Sequence, residues 1–140
     1  PSLRSLTLED LPRIEALPPP LDRRARHVVT ENSRVLEAVE AIRAGALERL
    51  GALLAAAHRS LRDDFEVSVP DLDRLVALAV EAPGVFGARL TGGGFGGAIV
   101  VAARPERLRA SMEQVAERYR AETGRTPSVL VPAGEDPRVG

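Results

Sequence analysis

The sequence predicts an α+β fold in which helices cover one face of a small antiparallel sheet. Apolar residues recur at helical spacing as far as Pro83-Gly84, where the period changes. Two short apolar runs then flank a glycine-rich segment, which is typical of a β-hairpin. A last helical pattern follows the hairpin. Helices segregated from a few antiparallel strands imply a two-layer sandwich.

Composition limits the classes of protein to consider. A chain of 140 residues that is 44% hydrophobic is long enough for one domain with a buried core. Its 19 basic and 20 acidic residues leave a net charge of −1, which favours neither nucleic acid nor anionic lipid as a partner. The absence of cysteine excludes disulfides and thiolate metal sites. We expect a cytoplasmic protein with no membrane or nucleic-acid partner.

Helix signals dominate the first half of the chain. The segment Thr7-Leu8-Glu9-Asp10 has the layout of a capping box ahead of a short helix. A long amphipathic helix is predicted from about Asp22, with Gly45 at the position that ends it. A second helix carries apolar residues from Leu47 to Ala57, so the two helices form an antiparallel pair.

The elements of the second half are bounded by local signals. Ser68-Val69-Pro70-Asp71 predicts an N-cap serine, an early proline and a first-turn acid for a third helix. The strands of the hairpin are predicted at Val85–Leu90 and Ala98–Ala103. A helix over Pro105–Glu122 and a short final strand at Ser128–Val131 follow.

We expect the remaining residues, from Ala133 onward, to form a frayed tail.

The glycine-rich segment is the main candidate for function, because five of its six residues, Gly92 to Gly97, are glycine. Consecutive bare N–H groups form a concavity that suits a phosphoryl group, whereas the alternative is a flexible turn. A dinucleotide-binding loop needs a helix after it, but an apolar strand follows here. A Walker-type loop needs a lysine, and the chain has none. The other motifs of a protein kinase are also missing.

A polar connector, His58–Ser68, is the second candidate. Its acids Asp63, Asp64 and Glu66 could hold Mg²⁺, or they could form a solvated turn. The two histidines are too isolated for a zinc site, so we expect paired or capping roles for them. We expect Phe95 to pack the glycine segment onto the core rather than to stack on a base.

Four segments, in order, resemble one family and cover most of the chain. Leu90–Gly97 resembles the third signature of the GHMP small-molecule kinases. The stretch His58–Ser68 resembles the galactokinase branch in particular. Arg26–Asn32 is similar to the start of the long helix of bacterial galactokinases, and Gly84–Arg89 to the lead-in of their glycine loop. Ala98 departs from the pattern, where the family often has cysteine, but both residues are small.

This resemblance implies a ferredoxin-like two-layer sandwich over residues 1–140, the C-terminal domain of a larger enzyme. The implied enzyme transfers the γ-phosphoryl group of ATP, with Mg²⁺, to the C1 hydroxyl of galactose. Its sugar signature, catalytic aspartate and second phosphate loop lie in an N-terminal domain that is absent from this sequence. No catalytic residue and no metal ligand is therefore assigned here, and the fragment alone is expected to be inactive and able to self-associate.

The site residues that the resemblance carries over are glycines that line the phosphate end of the interdomain cleft, namely Gly92, Gly93, Gly94, Gly96 and Gly97. We predict that Gly94→Ser lowers activity with little loss of fold. Two alternatives remain open: a galactokinase-like sensor that binds sugar and ATP to engage a regulator, and another GHMP kinase with a different alcohol substrate.

Overall fold

A computed structural model describes residues 2–131 of the chain. Two short 3₁₀ turns, Leu3–Ser5 and Leu8–Asp10, precede the helices. The α-helices are α1 (Leu11–Glu15), α2 (Leu21–Arg43), α3 (Leu47–Asp63), α4 (Pro70–Glu81) and α5 (Pro105–Thr123). The strands are β1 (Val85–Thr91) and β2 (Ala98–Ala103). Within the described residues, no helix is long and apolar enough to cross a membrane.

Most of the predicted helix boundaries are confirmed. The Thr7 amide donates to the Asp10 carboxylate at 2.9 Å, and the Glu9 amide donates to the Thr7 hydroxyl at 3.3 Å, so the capping box forms. Gly45 and Gly124 follow the ends of α2 and α5 with φ of +64° and +73°, which glycine adopts without penalty.

The predicted N-cap of α4 is wrong. Val69 occupies the cap position and its side chain makes no capping bond, although Pro70 does open the helix as expected. The Ser68 hydroxyl donates instead to the Asp73 carboxylate at 2.7 Å. The hydroxyl therefore donates to a carboxylate one turn into the helix, instead of accepting a hydrogen bond from a backbone amide of the first turn.

The two strands form an antiparallel hairpin, and α4 and α5 pack on one of its faces. The register pairs Leu90 with Ile99 and Ala88 with Val101, with an irregularity between Val85 and Gly87. Ala88 and Leu90 are fully buried. Ala88 packs in a cluster with Leu78 of α4 and Met112 of α5, and Leu90 packs in a cluster with Leu72 of α4. This arrangement confirms the predicted α+β class with helices over one face of an antiparallel sheet.

Helix α3 runs along the outer edge of β1. The Leu90 amide, which points away from β2, donates to the ring of His58 on α3 at 3.2 Å. Closer to the start of β1, a Cβ added to Gly51 of α3 would lie 2.0 Å from the Phe86 carbonyl oxygen. Only glycine permits this approach of helix backbone to strand backbone. The contact fixes the position of α3 relative to the hairpin.

The predicted final strand at Ser128–Val131 does not form within the described residues. Leu130 is 93% exposed, and the segment makes no backbone hydrogen bond to another described element. Apolar, β-branched composition favours an extended chain, but a strand also needs a neighbour that supplies the ladder. The predicted tail from Ala133 onward lies outside the described residues.

Candidate functional site

The glycine loop, Gly92–Gly97, joins β1 to β2 at the tip of the hairpin. Its backbone is left-handed at nearly every residue, with φ of +80°, +80°, +59°, +123° and +108° at Gly92, Gly94, Phe95, Gly96 and Gly97. Gly93 is the exception. Left-handed conformations are costly for residues with a Cβ, so four of these five positions are glycine, and Phe95 is the one residue of the loop with a Cβ that adopts this conformation.

Val67, in the connector between α3 and α4, anchors the middle of the loop. A Cβ added to Gly94 would lie 2.4 Å from the Val67 carbonyl oxygen, and the Phe95 amide donates to that oxygen at 2.7 Å. A Cβ added to Gly92, Gly93, Gly96 or Gly97 would meet nothing within 4 Å. The loop is thus held at its centre, while the backbone on either side borders open space into which a ligand can fit.

His58 ties the connector to the base of the loop. It is 5% exposed, and its Nδ1 lies 3.2 Å from the Leu90 amide nitrogen while its Nε2 lies 2.9 Å from the Asp73 carboxylate. An amide N–H can only donate, so Nδ1 accepts and the Nε2–H donates to Asp73. The same carboxylate oxygen accepts the Ser68 hydroxyl at 2.7 Å. The ring thereby bridges β1 and α4, which confirms the expected paired role of this histidine.

His27 also has a paired role. Its ring stacks on Phe65 with a centroid distance of 4.6 Å, and its Nδ1 lies 2.9 Å from the Ser60 hydroxyl. Since that hydroxyl donates to Asp64 at 3.0 Å, it accepts from His27. Burial lowers the pKa of His27, so the neutral ring is favoured. The contacts fix the start of α2 against the end of α3.

The connector acids are ion-paired with arginines. Asp64 accepts from Arg26 at 2.7 Å, and Glu66 accepts from both Arg23 and Arg24 at 3.0 and 2.5 Å. Asp63 pairs with its neighbour, Arg62, at 2.7 Å. These hydrogen bonds lower the pKa values of Asp63 and Glu66. The alternative of a Mg²⁺ site therefore finds no free set of ligands among the described residues of this segment.

A second ion-pair network, which sequence patterns did not reveal, joins α2 to β1. Glu31 of α2 accepts from Arg34 at 2.8 Å and from Arg89 of β1. The Arg89 side chain also donates to the Leu90 carbonyl at 3.0 Å. Burial opposes ionisation of Glu31, but hydrogen bonds and charges from both arginines outweigh it and lower its pKa. No local pattern could have identified this pair, because Glu31 and Arg89 are 58 residues apart.

The expected packing of Phe95 onto the core is wrong. Its side chain is 73% exposed. Phe95 has a positive φ, and its amide donates a hydrogen bond to the Val67 carbonyl oxygen. Both features hold its backbone toward the connector and leave the ring at the surface. Beside Gly96 and Gly97 it borders a cavity of about 440 Å³ that extends to Leu72 and Tyr119.

Comparison with known proteins identifies the family. A model of the C-terminal region of GHMP kinases matches residues 38–121, which include α3, α4, the hairpin and most of α5. The chain belongs to the GHMP kinases. The glycine loop and its anchoring connector therefore lie within the region that defines the C-terminal part of this family.

Two curated GHMP kinase relatives are galactokinases. The chain is 49% identical over 128 residues to the galactokinase of Pasteurella multocida, covering 88% of this chain and 33% of the relative. It is 47% identical over 131 residues to that of Chloroflexus aurantiacus, covering 93% of this chain and 34% of the relative. The chain thus spans about a third of the length of the curated relatives it matches.

Solved GHMP kinase structures share the fold. The Lactococcus lactis galactokinase complexed with galactose superposes with a TM-score of 0.82 at 38% identity, over 91% of this chain and 33% of that one. The L. major mevalonate kinase in complex with R-mevalonate gives a TM-score of 0.59 at 27% identity, over 84% and 35%. Two members with different named substrates therefore contain this fold.

Proposed function

We propose that this chain is the C-terminal part of a galactokinase, which phosphorylates galactose at C1 with ATP and Mg²⁺. The observation that carries the proposal is the graded similarity within the family. At comparable coverage, the galactokinase structure is closer than the mevalonate kinase structure both in fold and in sequence. The curated galactokinases, at 47–49% identity, support the same assignment.

In this proposal, residues 1–140 form a C-terminal domain that acts with an N-terminal catalytic domain supplied by the rest of the protein. The lengths of the relatives support it, since they are about three times as long as the matched region. The described acids of the connector are paired with arginines, so residues elsewhere would hold Mg²⁺ together with the phosphates of ATP. The 140 residues alone would be inactive and, as a soluble unit of the cytoplasm, could self-associate through the surface left uncovered.

The glycine loop would line the phosphate end of the cleft between the two domains. Phosphoryl transfer breaks the bond from the γ-phosphorus to the oxygen of ADP, forms one to the sugar oxygen and releases the hydroxyl proton. Catalysis of this reaction depends mainly on positioning and on stabilising charge on the transferred group. Backbone N–H groups beside the open positions Gly92, Gly93, Gly96 and Gly97 suit that role, because no side chain keeps the phosphates at a distance.

The proposal is tested by an assay of ADP release on the complete protein encoded with this sequence. Galactose, R-mevalonate and homoserine are compared as acceptors at equal concentration with ATP and Mg²⁺. Galactose-dependent ADP release at least 100-fold above the other two acceptors supports the assignment. Release with another alcohol alone favours a different GHMP kinase, and galactose binding without ADP release favours a sensor.

The loop assignment is tested with Gly93→Ala. Gly93 is not left-handed and its added Cβ would meet open space, so the fold should tolerate alanine. If phosphate approaches this backbone, kcat/KM should fall at least tenfold without a change in thermal stability. Gly45→Ala, at the far end of α2, is the control that should leave kcat/KM unchanged. Normal kcat/KM in Gly93→Ala would refute the loop assignment while leaving the enzyme assignment intact.

A further inference from the structure

Asp73, in the first turn of α4, holds two side chains through one oxygen atom. Its Oδ1 accepts from the His58 ring at 2.9 Å and from the Ser68 hydroxyl at 2.7 Å. Among the described residues, the carboxylate itself makes no hydrogen bond to the glycine loop. Each of its two partners is instead linked to a different part of the hairpin backbone.

The first link runs through His58 to the base of the loop. The Nε2–H donates to Asp73, which leaves Nδ1 free of a proton and able to accept from the Leu90 amide at 3.2 Å. The other neutral tautomer would set an N–H group of the ring against that amide. Asp73 therefore favours the tautomer that holds Leu90, which lies two residues before Gly92.

The second link runs through Ser68 to the centre of the loop. Ser68 follows Val67, whose amide donates to the Leu61 carbonyl at the end of α3 at 3.0 Å. Val67 is thus held from α3 by its own amide and from α4 by the hydroxyl of the next residue. Its carbonyl oxygen accepts the Phe95 amide at 2.7 Å. The direction of that carbonyl, and with it the middle of the loop, depends on the bond between Ser68 and Asp73.

We propose that Asp73 is a positioning residue for phosphoryl transfer, because its one oxygen sets both attachments of the glycine loop. It would act through His58 on the base of the loop and through Ser68 on the centre, without contacting substrate. The inference rests on the proposed function, in which the loop lines the phosphates. A displacement of about 1 Å at the reacting groups can lower a rate about 100-fold. Loss of Asp73 should therefore lower kcat.

Steady-state kinetics of the complete protein with galactose, ATP and Mg²⁺ test the proposal. Asp73→Ala removes both bonds, so kcat should fall about 10- to 100-fold while the KM for galactose stays within about twofold. Asp73→Asn keeps a side-chain oxygen that can accept both bonds, so its kcat should stay within about threefold of that of the unchanged protein.

The matched control is Glu81→Ala. This change also removes a carboxylate from α4, but one that pairs with Arg118 of α5 at 3.0 Å, and it should leave kcat unchanged. All rates are compared per mole of folded protein well below the Tm of each variant, so a purely structural role of Asp73 would lower Tm and spare kcat. An unchanged kcat in Asp73→Ala would overturn the proposal, as would equal losses in Asp73→Ala and Asp73→Asn.

Amide hydrogen exchange, resolved by residue with NMR on the complete protein, tests the two links without an activity readout. In Asp73→Ala, the Leu90 and Phe95 amides should both exchange at least about tenfold faster, because both links are lost. In Ser68→Ala, which removes the second link alone, only the Phe95 amide should exchange faster. The reference is the Arg104 amide, which donates a 2.8 Å hydrogen bond at the opposite end of the hairpin.

The two experiments separate this inference from the proposed function. If the unchanged protein releases no ADP with galactose, the proposed function fails, and the exchange rates still decide whether Asp73 holds the loop. Unchanged exchange of Leu90 and Phe95 in Asp73→Ala would overturn the inference, even in an active galactokinase. If Asp73→Ala does not fold, Ser68→Ala decides, since unchanged kcat and unchanged Phe95 exchange in that variant would contradict the second link.

Discussion

Replacing Gly94 with alanine should destabilise the protein far more than the same replacement at Gly93. The added methyl group at Gly94 would lie 2.4 Å from the Val67 carbonyl oxygen and 2.7 Å from the Val67 Cβ. At Gly93 it would meet nothing within 4 Å. The two positions are adjacent, so the pair separates packing against the connector from any general effect of changing the loop.

The expected loss of folding stability in Gly94→Ala follows from three contributions. An alanine held at φ of +80° costs about 1–2 kcal/mol. Crowding of a packed contact costs about 1–3 kcal/mol. Loss of the 2.7 Å bond from the Phe95 amide to Val67 costs about 1 kcal/mol. Because these contributions share one contact and are not additive, we expect a loss of about 3 kcal/mol.

Differential scanning calorimetry of the complete protein measures the effect. A loss of about 3 kcal/mol corresponds to a fall in Tm of about 6–12 °C for a cooperative unit of 150–250 residues. Gly93→Ala should stay within about 2 °C of the unchanged protein by the same scale. Equal Tm values for the two variants would refute the anchoring of the loop on Val67. The structure thus corrects the expectation that a substitution at Gly94 spares the fold and makes Gly93 the better probe of function.

Three further outcomes follow from the same contacts. His58→Phe should lower the free energy of unfolding by about 2–4 kcal/mol in urea denaturation, since it orphans the buried Leu90 amide, and an unchanged midpoint would contradict the bridging role. Glu31→Gln should lower Tm at pH 7. Because the folded pKa of Glu31 is lowered from its ordinary 4.5, this difference should be full at pH values above 4.5 and should be lost as the pH falls through the folded pKa. A difference independent of pH would contradict the ion-pair network. Gly51→Ala should abolish soluble expression, because the added Cβ would collide with the backbone of β1. At Gly45 the added Cβ would meet open space and only the left-handed backbone is unfavourable, so Gly45→Ala should lower the free energy of unfolding by only about 1–2 kcal/mol and leave soluble protein. Equal soluble yields of the two variants would place α3 away from β1.

Short-range signals in the sequence predicted the elements well. The capping box at Thr7, the proline that opens α4 and the glycines that end α2 and α5 act within one helical turn, so a local pattern contains all that decides them. The change of period near Gly84 likewise placed the hairpin within one residue of its observed bounds.

Long-range contacts decided the features that local patterns missed. Ser68 is not a cap because Asp73 and His58 form a tertiary network around it. Phe95 is exposed because its amide is held by Val67, a residue remote in sequence. Ser128–Val131 is not a strand because a ladder needs a neighbour, which composition cannot supply. In the candidate site, the glycines were identified from the sequence, but their anchor was not.

The central claim is that this chain completes a kinase acting at C1 of galactose, and the product of the complete protein tests it most directly. Incubation with galactose, ATP and Mg²⁺ should yield a sugar phosphate whose phosphorus couples to the anomeric proton in ³¹P–¹H NMR, with one ADP formed per product molecule. A phosphate coupled to the C6 protons, or no phosphorylated sugar at all, would contradict the claim.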